Sequence, residues 1–476
     1  MTMYTEVNGD DLLRHQVSLS RRSTSSCRRI EFEDPETMNF FFRMNSGVGV
    51  SIAGIAIAML TSLSGPAVAA NQSDRLTRME AALDAWRMDE VGAMLPGLPR
   101  TIGGDYLRGI AANRANDIDA SRQALLRALP ALEREHSPRT VQALLVLADD
   151  YRKSSSYSKQ ASTLRLAVSR YAGQMKPEML DGVRTDLALA SALAGSPPQT
   201  VSLSGESRVP IRRNPLGTFD VDVVANGVDA AWMLDSGANY SIVSESFARR
   251  LGLDVKGDIG EVASSTDITV TSKVAVVKEI RLGSATLRNV VVLVVDDEHL
   301  HIQLPHAEHQ ISAALGYPVF QALGRVSFIG DKEISIGSPS LATGEGARLY
   351  MNELTPVVLL GVDGVQMPFS LDTGANATDL SYTYWMTVKD RASDWPRKTS
   401  SYAGLGGAKT RETAIQPEWR ALVGSEEVVL KDVDVKTQRG PGEGPQPMFG
   451  NLGQSLWRDA SGFTIDFRAM RFRIDK

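Results

Sequence analysis

The chain has 476 residues, 43% of them hydrophobic and 22% charged, with 40 Gly and 21 Pro, a composition that excludes disorder along its whole length and a polytopic membrane protein. That length exceeds one ordinary hydrophobic core and implies two or more domains. A net charge of −5 argues against nucleic-acid binding, which needs clustered Lys and Arg, and the single cysteine, Cys27, excludes an intrachain disulfide framework or a cysteine-based zinc cluster.

Residues 1–70 read as an N-terminal extension ending in a hydrophobic segment. Residues 48–63 form an uncharged apolar run, too short to span a bilayer comfortably but suited to the core of a signal peptide. Arg43 precedes it, and Ala67-Val68-Ala69 supply the small-x-small pattern of a cleavage site. The polar stretch 1–37 is unusual before a signal, so Met38 and Met44 are alternative starts. An uncleaved N-terminal anchor is the other reading of the apolar run. Arg21-Arg22 lack the apolar residues that follow a twin-arginine signal. On either reading most of the chain leaves the cytoplasm. Cleavage near residue 70 would also remove Cys27, and an exported, cysteine-free chain fits a bacterial periplasm.

From 72 to 197 the apolar residues recur at helical spacing, and β-branched runs are scarce. Tyr106–Ala112 and Ala120–Ala128 read as two helices joined by a polar turn at Asn116-Asp117, with a second pair beginning at Val141 and Tyr157. Alanines at the crossings and a period in the upper thirties resemble tetratricopeptide repeats. That resemblance implies a stacked helical domain able to dock a protein partner or substrate; the alternative is a helical cap or prosegment over the next domain. Pro197-Pro198 end the pattern.

Beyond 200 the texture changes to alternating apolar residues and short turns, which predicts strands. Leu234-Asp235-Ser236-Gly237-Ala238-Asn239 repeats as Leu371-Asp372-Thr373-Gly374-Ala375-Asn376 at an offset of 137 residues. The hairpin signals Asn226-Gly227 and Asp363-Gly364, and the N-cap candidates Ser244 and Ser381, keep that offset. Further on, Ala314-Leu315-Gly316 pairs with Met448-Phe449-Gly450, and the final strands begin at Val326 and Phe463. A single Asp-Ser/Thr-Gly tripeptide is a weak signal, but chance repetition of the whole string is on the order of one in ten thousand. One β unit is used twice, over residues 205–340 and 345–476.

The apolar-apolar-Asp-Ser/Thr-Gly-Ala string, followed by an apolar-apolar-Gly motif, resembles the retropepsin-like aspartic proteases, and two such units in one chain resemble the pepsin-type bilobal arrangement. The resemblance covers residues 205–476. It implies an all-β protease of two small barrel lobes behind the all-α segment, with an extended peptide held between the lobes. Asp235 and Asp372 would be the catalytic pair, Ser236 and Thr373 would bond across the pseudo-twofold axis, and Gly237 and Gly374 would let the loops approach. Gly316 and Gly450 would lie in the strand packing behind each aspartate. No cofactor, metal or homodimer is implied. Ala238 and Ala375 stand where pepsin-like enzymes often carry a hydroxyl that donates to the carboxylate. Without it the carboxylates are stabilised less in their charged form, which predicts activity at higher pH than in strongly acidic enzymes.

Tyr402, Gly404, Gly406 and Gly407 lie where the second lobe should send a hairpin over the cleft, with Tyr402 covering substrate. The first-lobe counterpart, residues 262–274, has neither glycine nor aromatic residue, so closure by one lobe only is expected. His299, His301, His306 and His309 stand near Asp296, Asp297, Glu298 and Glu308. Their His-x-His and His-x-x-His spacings can ligate a metal, but without a strict ligand framework they read as a solvated polar loop. The chain is thus expected to be an exported, monomeric aspartic endopeptidase. The alternatives are a non-catalytic binding scaffold of the same fold and a metal-dependent hydrolase using the histidine loop.

Overall fold

The computed structural model of the protein describes residues 66–263, 269–304, 307–439 and 447–476. Cys27, the apolar run 48–63, His306 and most of the Pro/Gly-rich stretch 439–447 lie outside the described residues. Among the described residues no helix is long and apolar enough to cross a membrane. Ala67-Val68-Ala69 fall in the first turn of helix α1.

Seven helices open the described chain: α1 (Pro66–Asp84), α2 (Met88–Met94), α3 (Ile102–Arg114), α4 (Ile118–Arg134), α5 (Arg139–Lys153), α6 (Tyr157–Tyr171) and α7 (Pro177–Leu193). The α3–α4 and α5–α6 pairs fall where apolar periodicity places them. Asn116 takes a left-handed φ of 61° in the α3–α4 turn. Asp117 then caps α4, its carboxylate accepting from Ala120 N at 3.1 Å. The crossing is close because Gly109 faces Leu125; a Cβ there would lie 2.5 Å from Leu125 Cγ. Pro130 sits inside α4.

A buried polar cluster ties α3, α4 and α5 together. Asn113 Nδ2 donates to Asp149 Oδ2 at 2.8 Å and Asp150 Oδ1 at 2.9 Å, and Ser121 Oγ donates to Asp150 Oδ2 at 2.6 Å. Burial opposes ionisation of Asp149, yet Lys153 and Arg152 together hold it well below the usual carboxylate range. Burial pushes Asp150 up to about 6.

The helices are not a detached module. Leu189 and Leu193 of α7 and Tyr157 of α6 join the core of the β region. Residues of α1 to α5 pack with Tyr350, Val357, Leu359 and Met448. Lys256 Nζ donates to Ala192 O at 2.9 Å, and Asn289 Nδ2 to Pro198 O at 3.0 Å.

The β region contains three connected sheets. At its centre six strands run antiparallel in the order Ala347–Asn352, Arg471–Asp475, Gly462–Asp466, Arg325–Ile329, Glu333–Ile336, Ser207–Arg213. In this sheet Ser327 lies opposite Thr464, a pair 137 residues apart, and Thr464 Oγ1 donates to Ser327 Oγ at 2.9 Å. Phe328 stacks on Phe463 beside them, centroids 4.2 Å apart. Each such buried ring removes enough apolar surface from water to stabilise by about 1.5–3 kcal/mol.

On one side of the central sheet, Phe219–Ala225 and Val228–Leu234 form a hairpin about Asn226-Gly227, with φ of 46° and 80° as a type I′ turn requires. On the other, Thr355–Val362 and Val365–Leu371 do the same about Asp363-Gly364, with φ of 51° and 79°. The Ser244 and Ser381 hydroxyls cap short helices, accepting from Phe247 N and Tyr384 N, each at 3.2 Å.

Candidate active site

Each aspartate leaves a strand that is pinned by a parallel neighbour. Val228–Leu234 pairs with Ala313–Leu315, and Asp235 N donates to Leu315 O at 3.0 Å. Val365–Leu371 pairs with Gly450–Leu452, and Asp372 N donates to Leu452 O at 2.9 Å. The register makes Leu315 the counterpart of Leu452, and so Gly316 the counterpart of Gly453. A Cβ on Gly316 would lie 2.4 Å from Tyr240 C, and one on Gly453 would lie 2.4 Å from Ala377 O, the position 137 residues later. The sequence pairing of Gly316 with Gly450 is therefore corrected. Gly450, three residues before Gly453, packs against Asp379 O, and Gly453 follows Leu452, whose carbonyl accepts from Asp372 N.

The two loops are locked to each other. Ser236 N donates to Thr373 Oγ1 at 2.9 Å, and Thr373 N donates to Ser236 Oγ at 3.1 Å. Each hydroxyl then donates across the junction, Ser236 Oγ to Leu371 O at 3.2 Å and Thr373 Oγ1 to Leu234 O at 2.9 Å. All four groups are buried, so losing any one leaves an unpaired polar atom. Gly237 and Gly374 permit this approach. A Cβ on Gly237 would lie 2.5 Å from Asp372 Cγ, and one on Gly374 would lie 2.5 Å from Asp235 Cγ.

These contacts bring Asp235 and Asp372 together, 2% and 5% exposed, and within hydrogen-bonding reach of each other. Two carboxylates so placed cannot both ionise in a low dielectric, and the pair retains one proton near neutrality. Burial, with the neighbouring Asp372 charge and hydrogen bond, pushes Asp235 up to about 7. The backbone supplies the stabilising donors. Gly237 N and Ala238 N each donate to Asp235 Oδ1 at 3.0 Å, and Gly374 N donates to Asp372 Oδ1 at 2.8 Å. Ala375 N donates instead to the Asp372 carbonyl, at 3.3 Å.

One member of the site was invisible in the sequence pattern. Asn451 Nδ2 donates to Asp372 Oδ2 at 3.1 Å, and its Oδ1 accepts from Ser370 Oγ at 2.7 Å. Its counterpart beside Asp235 is Ala314. The available signal was the Leu-Gly of Asn451-Leu452-Gly453, which repeats Ala314-Leu315-Gly316 at the same 137-residue offset as the aspartates.

The pair opens into a cavity of about 1350 Å³ that the helices help to wall. Ile110 of α3, Leu145 of α5 and Met179 of α7 line it, together with Tyr240, Leu405 and Asn451. The second-half hairpin pairs Arg397–Gly404 with Gly407–Val423, so Gly404 faces Gly407 across the tip, and Gly406 and Gly407 take φ of 91° and 108°. Gly406 N donates to His299 O at 3.1 Å. The residue turned to the cavity is Leu405; Tyr402, expected to cover substrate, is buried with Arg411 above its ring at 4.4 Å. The first-half hairpin, Lys256–Ala263 with Thr269–Leu282, lies against α7, where a Cβ on Gly260 would be 3.7 Å from Thr185 Oγ1.

The described histidines do not converge. His299 sits in the turn Asp297–Leu300, whereas His301 and His309 lie on paired short strands. Among the described residues, the ligand-type atoms of Asp296, Glu298 and His299 come within 4.8 Å of one another as a group of three. Burial lowers the pKa of His309, with Asp220 opposing.

No curated protein matches this chain. Among solved structures, a retropepsin-like aspartic protease from Rickettsia conorii is similar, at 16% identity and a TM-score of 0.21, over 29% of this chain and 93% of that one. Residues 221–319, which hold Asp235 and Gly316, match the model of a family described as aspartyl protease.

Proposed function

We propose that this chain is an aspartic endopeptidase whose two retropepsin-like lobes, 205–340 and 345–476, each supply one catalytic aspartate. The observation that carries the reading is the reciprocal bonding of Ser236 and Thr373, which holds Asp235 and Asp372 face to face on the floor of a large cavity. The aspartyl protease match over 221–319 supports it for the first lobe, and the repeated strand pairing and 137-residue offset support it for the second.

In this reading the ionised carboxylate takes a proton from a bound water while the protonated one polarises the scissile carbonyl. The water oxygen bonds to the carbonyl carbon and the carbonyl oxygen takes the proton of the protonated carboxyl, giving a tetrahedral diol. The carbon–nitrogen bond then breaks as the amine nitrogen takes a proton from the pair and a diol hydroxyl gives its proton to the ionised carboxylate, leaving an amine and a carboxylic acid. The dyad returns with one proton, and no bond forms between enzyme and substrate. One chain supplies both aspartates, and catalysis needs no second copy. Helices α3, α5 and α7 line the cavity, which favours their acting on substrate access over remote docking. The uncharged run 48–63 and Ala67-Val68-Ala69 support export to a periplasm.

The test is digestion of a diverse peptide library by the full chain and by Asp235→Asn, read by mass spectrometry. Cleavage by the wild type alone is expected. Equal product from both would overturn the reading, and binding without cleavage by either would leave a peptide-binding scaffold.

A further inference from the structure

The two halves of the site share the reciprocal bonds between their loops, yet different donors hold their carboxylates. At the position behind Asp372 stands Asn451; the same register position behind Asp235 is Ala314. Asn451 is oriented, because Ser370 Oγ donates to its Oδ1 and so turns Nδ2 toward Asp372 Oδ2. Asp372 therefore accepts on both oxygens, from Gly374 N and from Asn451. Asp235 takes both its backbone donors on Oδ1, and no described side chain outside the pair donates to it.

A donor fixed on a carboxylate stabilises its charged form. We infer that Asn451 is a positioning residue that keeps the negative charge on Asp372 and the shared proton on Asp235, so that Asp372 is the base toward water and Asp235 the acid toward the carbonyl. The inference rests on the peptidase reading for its catalytic meaning, but the asymmetry itself is a property of the pair.

The other charged groups near Asp372 do not supply the bias. Asp379 lies opposite Asn451 in the strand ladder, and its charge is answered by Lys436 at 3.5 Å and Arg411 at 3.8 Å. Asp235 itself is the group whose proton is in question. An asparagine that only filled space would leave the titration of the pair unchanged when replaced by a residue of similar volume.

The experiment titrates the protein labelled with 13C at aspartate side chains, as wild type, Asn451→Leu and Ser370→Ala, beside pH profiles of kcat and KM on a cleavable peptide. In Asn451→Leu the lower of the pair's two titration steps should move up by about one unit, the loss of one hydrogen bond to a charged group. The acid limb of kcat should move with it, leaving KM unchanged. Ser370→Ala, which frees Asn451 to turn, should give a smaller shift of the same sign. It is the variant that decides the matter if Asn451→Leu does not fold. An unmoved lower step in the variants that fold would overturn the inference. A wild type that titrates as stated but cleaves no peptide would instead overturn the peptidase reading and leave the asymmetry standing.

Discussion

Arg152 joins the helices to the strand region through Glu353: its Nη2 lies 3.0 Å from Glu353 Oε2 and 2.6 Å from Asp149 Oδ1, with Asp186 at 3.6 Å from Nη1. Glu353 sits in the turn between Ala347–Asn352 and Thr355–Val362 and lines the cavity beside Asp235 and Asp372, as does Arg152. The ion pair thus joins a helix and a strand turn that both line the cavity.

Breaking it from the buried side should be costly. Arg152→Ala leaves Asp149, with only 7% of its side chain exposed, short of one cation, and is expected to cost about 3 kcal/mol in urea unfolding. Glu353→Ala should cost under about 1 kcal/mol, because that side chain is 67% exposed. Asp149 has a depressed pKa, so its contribution is present above the ordinary carboxylate range and is lost as pH falls into strong acid.

Asp235→Asn and Asp372→Asn should each lower peptide turnover by about 10³-fold or more, since either change removes the general acid–base pair. Asp235→Asn should also unfold at higher denaturant than wild type at pH 8. A carboxyl whose pKa rises on folding is stabilising when protonated and loses that stability as pH climbs from about 4 toward 7. The neutral amide avoids this loss, and the two proteins should converge in stability near pH 4.

Thr373→Val keeps the shape of the side chain but leaves Ser236 N and Leu234 O without their partner. Both lie in the dry junction between the loops, so about 1–3 kcal/mol of stability should be lost in chemical denaturation. Peptide turnover should fall as well, because the loop carrying Asp235 is no longer pinned. Thr373→Ser, which keeps the hydroxyl, should restore most of both.

Cleavage should be bell-shaped in pH, with its alkaline limb near pH 7 where Asp235 gives up the shared proton. The absence of a side-chain hydroxyl at Ala238 and Ala375 acts in the same direction. Initial rates across pH 3 to 9 test this; an optimum below about pH 3.5, near the unperturbed aspartate value, would contradict it.

Much of this was legible in the sequence because it is local or repeated. The helix pairs follow from apolar spacing and from turns such as Asn116-Asp117. The aspartate loops follow from a six-residue string used twice, and Ser244 and Ser381 cap helices as their positions suggest. The register behind Asp372 was misread because Asn451 breaks the apolar-apolar-Gly pattern, and Met448-Phe449-Gly450 satisfied it instead. That break is a polar side chain facing a carboxylate, so the position with functional meaning was the one that spoiled the motif. The Tyr402 ring suggests a cover for substrate, but strand alternation turns it inward and leaves Leu405 at the tip facing the cavity. The helices' place beside the paired aspartates rests on contacts such as Arg152 with Glu353, between residues far apart in sequence that carry no local signature.

Whether Asp235 and Asp372 hold one proton between them is read by titrating Asp235 with 13C NMR in wild type and in Asp372→Asn. The pair predicts that Asp235 titrates near pH 7 in the wild type and well below that once the neighbouring charge is gone. An Asp235 titration unmoved by Asp372→Asn would show that the two carboxyls are not coupled and share no proton.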